Sequence, residues 1–306
     1  TQHNLIAHKA LNWFQPSVHV NESFGIFSDI LQNNQDSFQA GAAFPDWGYS
    51  CGESDASEMA HWPPFTLAYS QFFKSQCGNI PTTWSTDCQQ LVAFIFGVVS
   101  HQTADVLWHD LKISSPTYQG FLQAMGNTDF DGSFETAHGI GDAGAEFIVA
   151  REFDLSFIQR NWYVPSGFLS DLYQKLGQDI TEEKLIECNL LLYAEVHAVK
   201  EFGTLLYPYA GRKSAFLTDE LLNYWIGGVD DNAIWTQTCW YEYLMYWLTA
   251  DNDSMMDYPL CLAQEPLFSF SSSRKPTVSP EIRRLAEELI INGDIKTDKN
   301  SDKIVF

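Results

Sequence analysis

The stretch LVAFIFGVVSHQTADVLWH, from Leu91 to His109, constrains the fold more than any other part of this chain. Its first ten residues are apolar on nearly every side of a helix, which places that helix in the centre of a fold rather than on its surface. The same helix then carries His101, Asp105 and His109, each four residues after the last. An unbroken helix presents such residues along one slowly drifting stripe. Histidine and aspartate at that depth need partners, because an unpaired carboxylate taken out of water costs several kcal/mol, and a divalent cation is the natural compensation.

A second pair repeats the spacing. In HGIGD, His138 and Asp142 are again four residues apart and project from one helical face. One such pair alone is an ordinary helix pair or chance. Two pairs, with His3, His8 and His61 also present, favour a metal centre. Mixed nitrogen and oxygen ligands without cysteine suit zinc, with manganese or iron as lesser alternatives. Six histidines and at least three aspartates exceed what one catalytic zinc uses, so more than one ion is expected. Glu146, one turn after Asp142, is either an orienting acid or an exposed helix residue. Arg151 and Arg160 are read first as salt-bridge partners and second as phosphate ligands. His19 and His197 have no acid nearby in sequence and are assigned to the surface and the core.

Charge and cysteines narrow the setting. A net charge of -22 argues against nucleic acid as a partner, since polyanion binding draws on clustered lysine and arginine. The cysteines at 51, 77, 88, 188, 239 and 261 show no C-x-x-C spacing, so three disulfides are expected, and the nearness of Cys77 and Cys88 favours that bridge. Together with sequons at Asn21 and Asn252, this points to a secreted glycoprotein. The sequence starts at Thr1 without a charged and apolar leader, as expected of a mature chain. The longest apolar run, Leu91 to Val99, falls short of the roughly 18 to 20 residues a membrane span requires.

Apolar residues at helical spacing mark 5–14, 89–109, 137–150, 182–203 and 216–226, while strand-like alternation is scarce, so the fold class expected is all-α. Thr181 is a candidate cap for one helix and Thr218 for another. Residues 1–270 read as one catalytic domain and 271–306 as a tail. The tail follows the Ser-rich stretch Ser269 to Ser273 and holds one more helix, capped by Ser279 with Pro280 at its first position.

The strings FQAGAAFPD, AHWPPF, LVAFIFGVVSHQTADVLWH, DFDGSFETAHGIGD, RNWYVP and IGGVDD resemble, in this order, the amino-terminal catalytic domain of the glycosylphosphatidylinositol-specific phospholipase D family. That family lies within the zinc-dependent phospholipase C and single-strand nuclease superfamily, which is all-helical and binds three zincs. The resemblance implies one zinc held by Asp46, His61, His101 and Asp105, and a second by His3 and His8 with Asp105 bridging. It implies a third held by His109, His138 and Asp142. Asp46 and Asp105 are the candidate catalytic residues.

It also implies hydrolysis of the inositol-phosphate bond of glycosylphosphatidylinositol anchors, with phosphatidic acid as product. Anchored proteins or glycolipids would be the substrates, and any contact with a membrane would be peripheral. Phe44, Trp47, Trp62 and Trp108, beside the proposed ligands, are candidates to line a groove for the inositol ring and lipid chains. Two other readings compete: a phospholipase C or nuclease using the same zincs, and a non-catalytic glycolipid-binding module with structural zinc.

Overall fold

A computed structural model describes residues 1–14, 22–109 and 119–249, with side chains described for all of these except 22–24 and 245–249. The Ser-rich stretch, the tail with its helix, both sequons, His19 and Cys261 lie outside the described residues. Among the described residues the fold is all-α, as the periodicity predicts, with no strand.

The apolar stretch forms α6 (Thr86–Trp108), whose amino end is capped by the Ser85 hydroxyl accepting from the Cys88 amide. By length and composition α6 could cross a membrane, yet 94% of its most apolar window is buried inside the protein, so it is the core helix. Phe94, Ile95 and Phe96 are wholly buried, each such side chain contributing about 1.5–3 kcal/mol. Around α6 pack α1 (Gln2–Trp13), α2 (Glu22–Asn33), α3 (Gln35–Ala43) and α5 (Pro63–Cys77), with α4 (Ser54–Ala60) set against α5. Next come α7 (Phe121–Asp129), α8 (Phe134–Glu152), α9 (Ser166–Lys175) and α10 (Glu182–Phe202). The described fold closes with α11 (Tyr207–Lys213), α12 (Ala215–Glu220) and α13 (Val229–Thr249).

Two glycines set how closely α3 approaches α6. A Cβ on Gly97 would meet the Ala42 amide at 2.6 Å, and one on Gly41 would run into the Phe94 carbonyl. Backbone therefore packs on backbone, which brings the α3 carbonyls within reach of α6 side chains. Elsewhere, α13 is joined to α1 by an ion pair of Lys9 Nζ with Asp230 Oδ1 at 2.6 Å and by Gln237 donating to the Ala10 carbonyl at 3.0 Å.

Thr181 caps α10 as expected, its hydroxyl accepting from the Lys184 amide. Thr218 does not cap a helix. It lies inside α12, which is capped instead by Ser214 accepting from the Leu217 amide at 2.9 Å. Helical spacing over 216–226 gives only the short α12 followed by turns, and at Gly227, with φ +100, an added Cβ would run into the Leu107 carbonyl. The Cys77–Cys88 bridge is present, and Cys51–Cys188 ties the segment before α4 to α10. Cys239 is disulfide-bonded to a residue outside those described.

Asp231, in the first turn of α13, is buried, with Oδ2 accepting from the Gly227 amide at 2.8 Å and Oδ1 unpartnered among the described residues. Burial pushes its carboxyl from 3.8 up to about 7, against the opposing Gly227 hydrogen bond. Over that interval the folded protein keeps a proton that the unfolded chain has released. Stability therefore falls as pH rises from about 4 to about 7 and stays lower above it. Asp231→Asn, neutral throughout, is expected to raise Tm at pH 8 and to change it little at pH 4. Thermal melts of the two proteins at both pH values check this, and an equal shift at both would contradict it.

Candidate metal centre

His101 sits on the buried stripe of α6, and the close approach of α3 supplies its first partner: Nδ1 lies 2.8 Å from the Ala42 carbonyl. That carbonyl belongs to the last turn of α3, where carbonyls lack partners within the helix. Nδ1 must carry the proton to bond a carbonyl, so Nε2 presents its lone pair. Nε2 is buried without a hydrogen-bond partner, 3.4 Å from Asp105 Oδ2 and 3.7 Å from Asp46 Oδ1. His61, which ends α4, is arranged alike: Nδ1 faces the Ser57 carbonyl at 3.1 Å, and Nε2 stands 3.4 Å from Asp46 and 3.5 Å from Asp105. A backbone carbonyl behind each ring is how metal-ligating histidines are held in one tautomer.

Asp105 is the hub. Besides His61 and His101 it faces His3 Nε2 from α1 at 3.4 Å and His109 Nε2 at 3.8 Å. Four ligand atoms placed tetrahedrally about 2.0–2.2 Å from one zinc stand about 3.3–3.5 Å apart, and the separations at this hub cluster around that value. Three groups of side chains each have ligand atoms within 4.8 Å of one another: Asp46, His61 and His101; His3, His101 and Asp105; His109, His138 and Asp142. His138 Nε2 is 3.2 Å from Asp142 Oδ2, and both side chains are nearly half exposed, 47% and 46%. The third group thus opens to solvent while Asp105 and His101 lie on the floor.

The electrostatics follow from this crowding. Burial would raise Asp105, but His101 and His3 beside it hold its carboxyl well below the usual range. Asp46 behaves likewise: burial opposes ionisation, yet His101 and His61 bring it to about 2. Burial and the neighbouring His101 lower His3 to about 3. For His61 burial is outweighed by Asp46 and Asp105, which raise it to about 9. Anionic oxygens and ring nitrogens converging on shared points are the donor set of a divalent cation, which at His61 would take the place of the proton the two carboxylates hold there, so the residues fit zinc.

His8 is not brought to this centre. Its ring stacks on Phe157 at 3.9 Å and its Nε2 meets Asn12 Nδ2 at 2.9 Å. It follows His3 by five residues in α1, a rotation of about 140° on a helix, so the two cannot point at one ion. Glu146 neither orients a ligand histidine nor stands free. It accepts from the Gln2 amide at 2.9 Å and from the Thr1 hydroxyl, which fixes the start of α1 and with it His3. Neither Arg151 nor Arg160 forms a salt bridge among the described residues, contrary to expectation. His197 lies away from the centre, against Tyr193 with ring centroids 4.1 Å apart.

The centre opens into a cavity of about 880 Å³. Trp62 and Trp108 line it, as expected, and Trp108 Nε1 donates to Asp142 Oδ1 at 2.8 Å. Phe44 and Trp47 lie instead in the core behind it, Trp47 donating to the Tyr173 hydroxyl. Reading by residue type missed Phe134 and the α10 wall of Leu192, Val196 and Val199. The α10 residues have ordinary core spacing, and nothing in it marks a cavity. It also missed Glu58, which accepts from both Tyr49 and Trp62 at the cavity wall.

An all-helical domain that gathers histidines and aspartates into adjoining candidate metal-binding groups over one cavity is the frame of a metal-dependent protein. The family model for zinc dependent phospholipase C matches residues 2–196, and the chain belongs to that family. It is 39% identical over 254 residues to the phosphatidylinositol-glycan-specific phospholipase D of Dictyostelium discoideum, covering 82% of this chain and 26% of the relative. With the protein of the same name from Homo sapiens it shares 36% identity over 241 residues, 76% of this chain and 27% of the relative. The corresponding Bos taurus protein is 34% identical over 273 residues, 87% and 30%. The chain thus spans about a quarter of the length of the first two of these relatives. No solved structure matches it.

Proposed function

We propose that this chain is a secreted phosphodiesterase domain, residues 1–270, that hydrolyses the inositol-phosphate bond of glycosylphosphatidylinositol anchors and leaves phosphatidic acid. Convergence of the three ligand groups on one cavity carries the reading. The relatives' names supply the substrate class, and the disulfides support an oxidising compartment.

Three zinc ions fit the groups. Asp46, His61, His101 and Asp105 would hold one, His3 and Asp105 a second, and His109, His138 and Asp142 a third. When bound, zinc supplies Lewis-acid activation of water and stabilisation of phosphoryl charge. The chain's own residues do the rest. Ala42 and Ser57 hold His101 and His61 in the tautomer that presents Nε2. Asp105, 9% exposed, binds the groups together, while Asp46, 39% exposed, is the carboxylate that meets water entering the cavity. Trp62, Phe134, Leu192, Val196 and Val199 give an apolar wall against which acyl chains can lie.

The bond broken is decided by which ester oxygen lies opposite the attacking water. Incubation of a glycosylphosphatidylinositol-anchored protein with the zinc-loaded chain is expected to release phosphatidic acid, identified by mass spectrometry. Diacylglycerol alone would assign the C-type reaction, the second reading and the one carried by the family description. No lipid product together with cleavage of single-stranded DNA would assign a nuclease.

A further inference from the structure

A second cavity, of about 640 Å³, lies at the far ends of the helices that wall the metal cavity. On α8, His138, Asp142 and Glu146 face the metal cavity, and Ala150 and Phe153 face the second one. On α10 the boundary falls between Val199 and Lys200. From Asp142 to Phe153 the helix advances roughly 16 Å. No residue of the second cavity belongs to the metal centre.

Its polar lining includes Asp154, Gln159, Arg160, Asn161, Lys200 and Glu201. The loop that carries Arg160 is held to α10 twice: the Tyr193 hydroxyl donates to the Arg160 carbonyl at 2.6 Å, and Lys200 Nζ donates to the Ile158 carbonyl at 3.0 Å. The backbone is thereby fixed while the guanidinium of Arg160 forms no ion pair among the described residues. In a chain with 39 acidic and 17 basic residues, an arginine on an anchored loop without an acidic partner points to an external acceptor. Guanidinium, ammonium and amide donors stand here beside two carboxylates. A ligand whose groups each donate and accept, as hydroxyls do, is what such a mixture matches. For a simple anion the attraction of Arg160 and Lys200 is offset by Asp154 and Glu201.

We propose that this second cavity binds the glycan of the substrate, a polyhydroxylated chain reaching from the inositol side of the diester while the phosphate lies at the metal centre. The proposal rests on the phosphatidylinositol-glycan reading above. Arg160 and Asn161 are exposed, so a variant carrying Arg160→Ala and Asn161→Ala is expected to fold normally.

Two measurements test it. Calorimetric titration with the soluble glycan released from an anchored glycolipid is expected to show binding to the wild-type protein, weakened about tenfold or more in the double variant by the lost charged hydrogen bonds. Steady-state kinetics are expected to show the same loss in kcat/KM on a glycosylphosphatidylinositol-anchored protein, expressed in KM. Hydrolysis of phosphatidylinositol without glycan should be unchanged. Glycan affinity equal in the two proteins, or equal losses on both substrates, would overturn the second cavity as the glycan site while leaving the phosphodiesterase reading intact. A wild-type enzyme that shows no preference for the glycan-bearing substrate, yet binds the free glycan through these residues, would overturn the substrate reading and keep the site.

Discussion

Replacing His101 by alanine is expected to lower kcat/KM on a phosphodiester by about a thousandfold or more, with His197→Ala remaining within a few-fold. His101 Nε2 belongs to two of the three ligand groups and has no other hydrogen-bond partner. Its loss therefore removes a direct ligand of the ion proposed between Asp46, His61 and Asp105 and leaves those two carboxylates facing a void. Loss of a residue that only orients a metal ligand costs about 10–100-fold, and loss of a direct ligand is expected to exceed that. His197 packs on Tyr193 and touches none of the groups. Comparable rates for both folded variants, measured with a soluble diester, would refute the assignment of His101.

Removing metal with a strong chelator is expected to abolish activity and to destabilise the fold. The centre holds carboxylates on the floor of the molecule, with Asp105 only 9% exposed, and their compensation would be withdrawn together. A ligand that binds only the folded state contributes about 4 kcal/mol at a thousand times its dissociation constant. In a domain of this size that corresponds to a fall in Tm of roughly 8–16 °C at about 2–4 °C per kcal/mol. Calorimetric scans before and after chelation, with restoration by added zinc, check the prediction. A Tm unchanged by verified metal removal would mean that the histidine and aspartate cluster is satisfied without ions.

The parts of the centre that were legible in the sequence are those fixed by helical arithmetic. His101 with Asp105, and His138 with Asp142, are four residues apart, and a helix alone brings such residues together. His109 ends α6 as its cap residue, with the Asp105 carbonyl still accepting its amide, and its ring stands 5.0 Å from that of His138. Asp46 and His61 come from separate elements and carry no local spacing signal; family resemblance alone gave them a place in a ligand set, and the structure places both beside His101. The same resemblance placed His8 with His3, where the five-residue spacing already spoke against it.

The all-α class and the central helix were likewise readable from periodicity. The long α13 was not, because its run of Trp, Tyr and Leu among polar residues has no clean apolar face. The close contact of α3 with α6, which supplies the carbonyl behind His101, depends on Gly41 and Gly97 meeting across space. No local pattern announces such a meeting. The second cavity was equally hidden, since an arginine that lacks an acidic partner in the fold looks in sequence like one that has it.

The most direct test of the central claim is elemental analysis of the purified chain alongside an Asp105→Ala variant, paired with diester hydrolysis by the same samples. Asp105 faces His3, His61, His101 and His109 at 3.4–3.8 Å, so it links the ligand groups into one centre. More than one equivalent of zinc per wild-type chain is expected, with activity proportional to it, and loss of both zinc and activity in the variant. A fully active wild-type chain free of bound metal, or a variant that keeps its zinc and its rate, would contradict that claim.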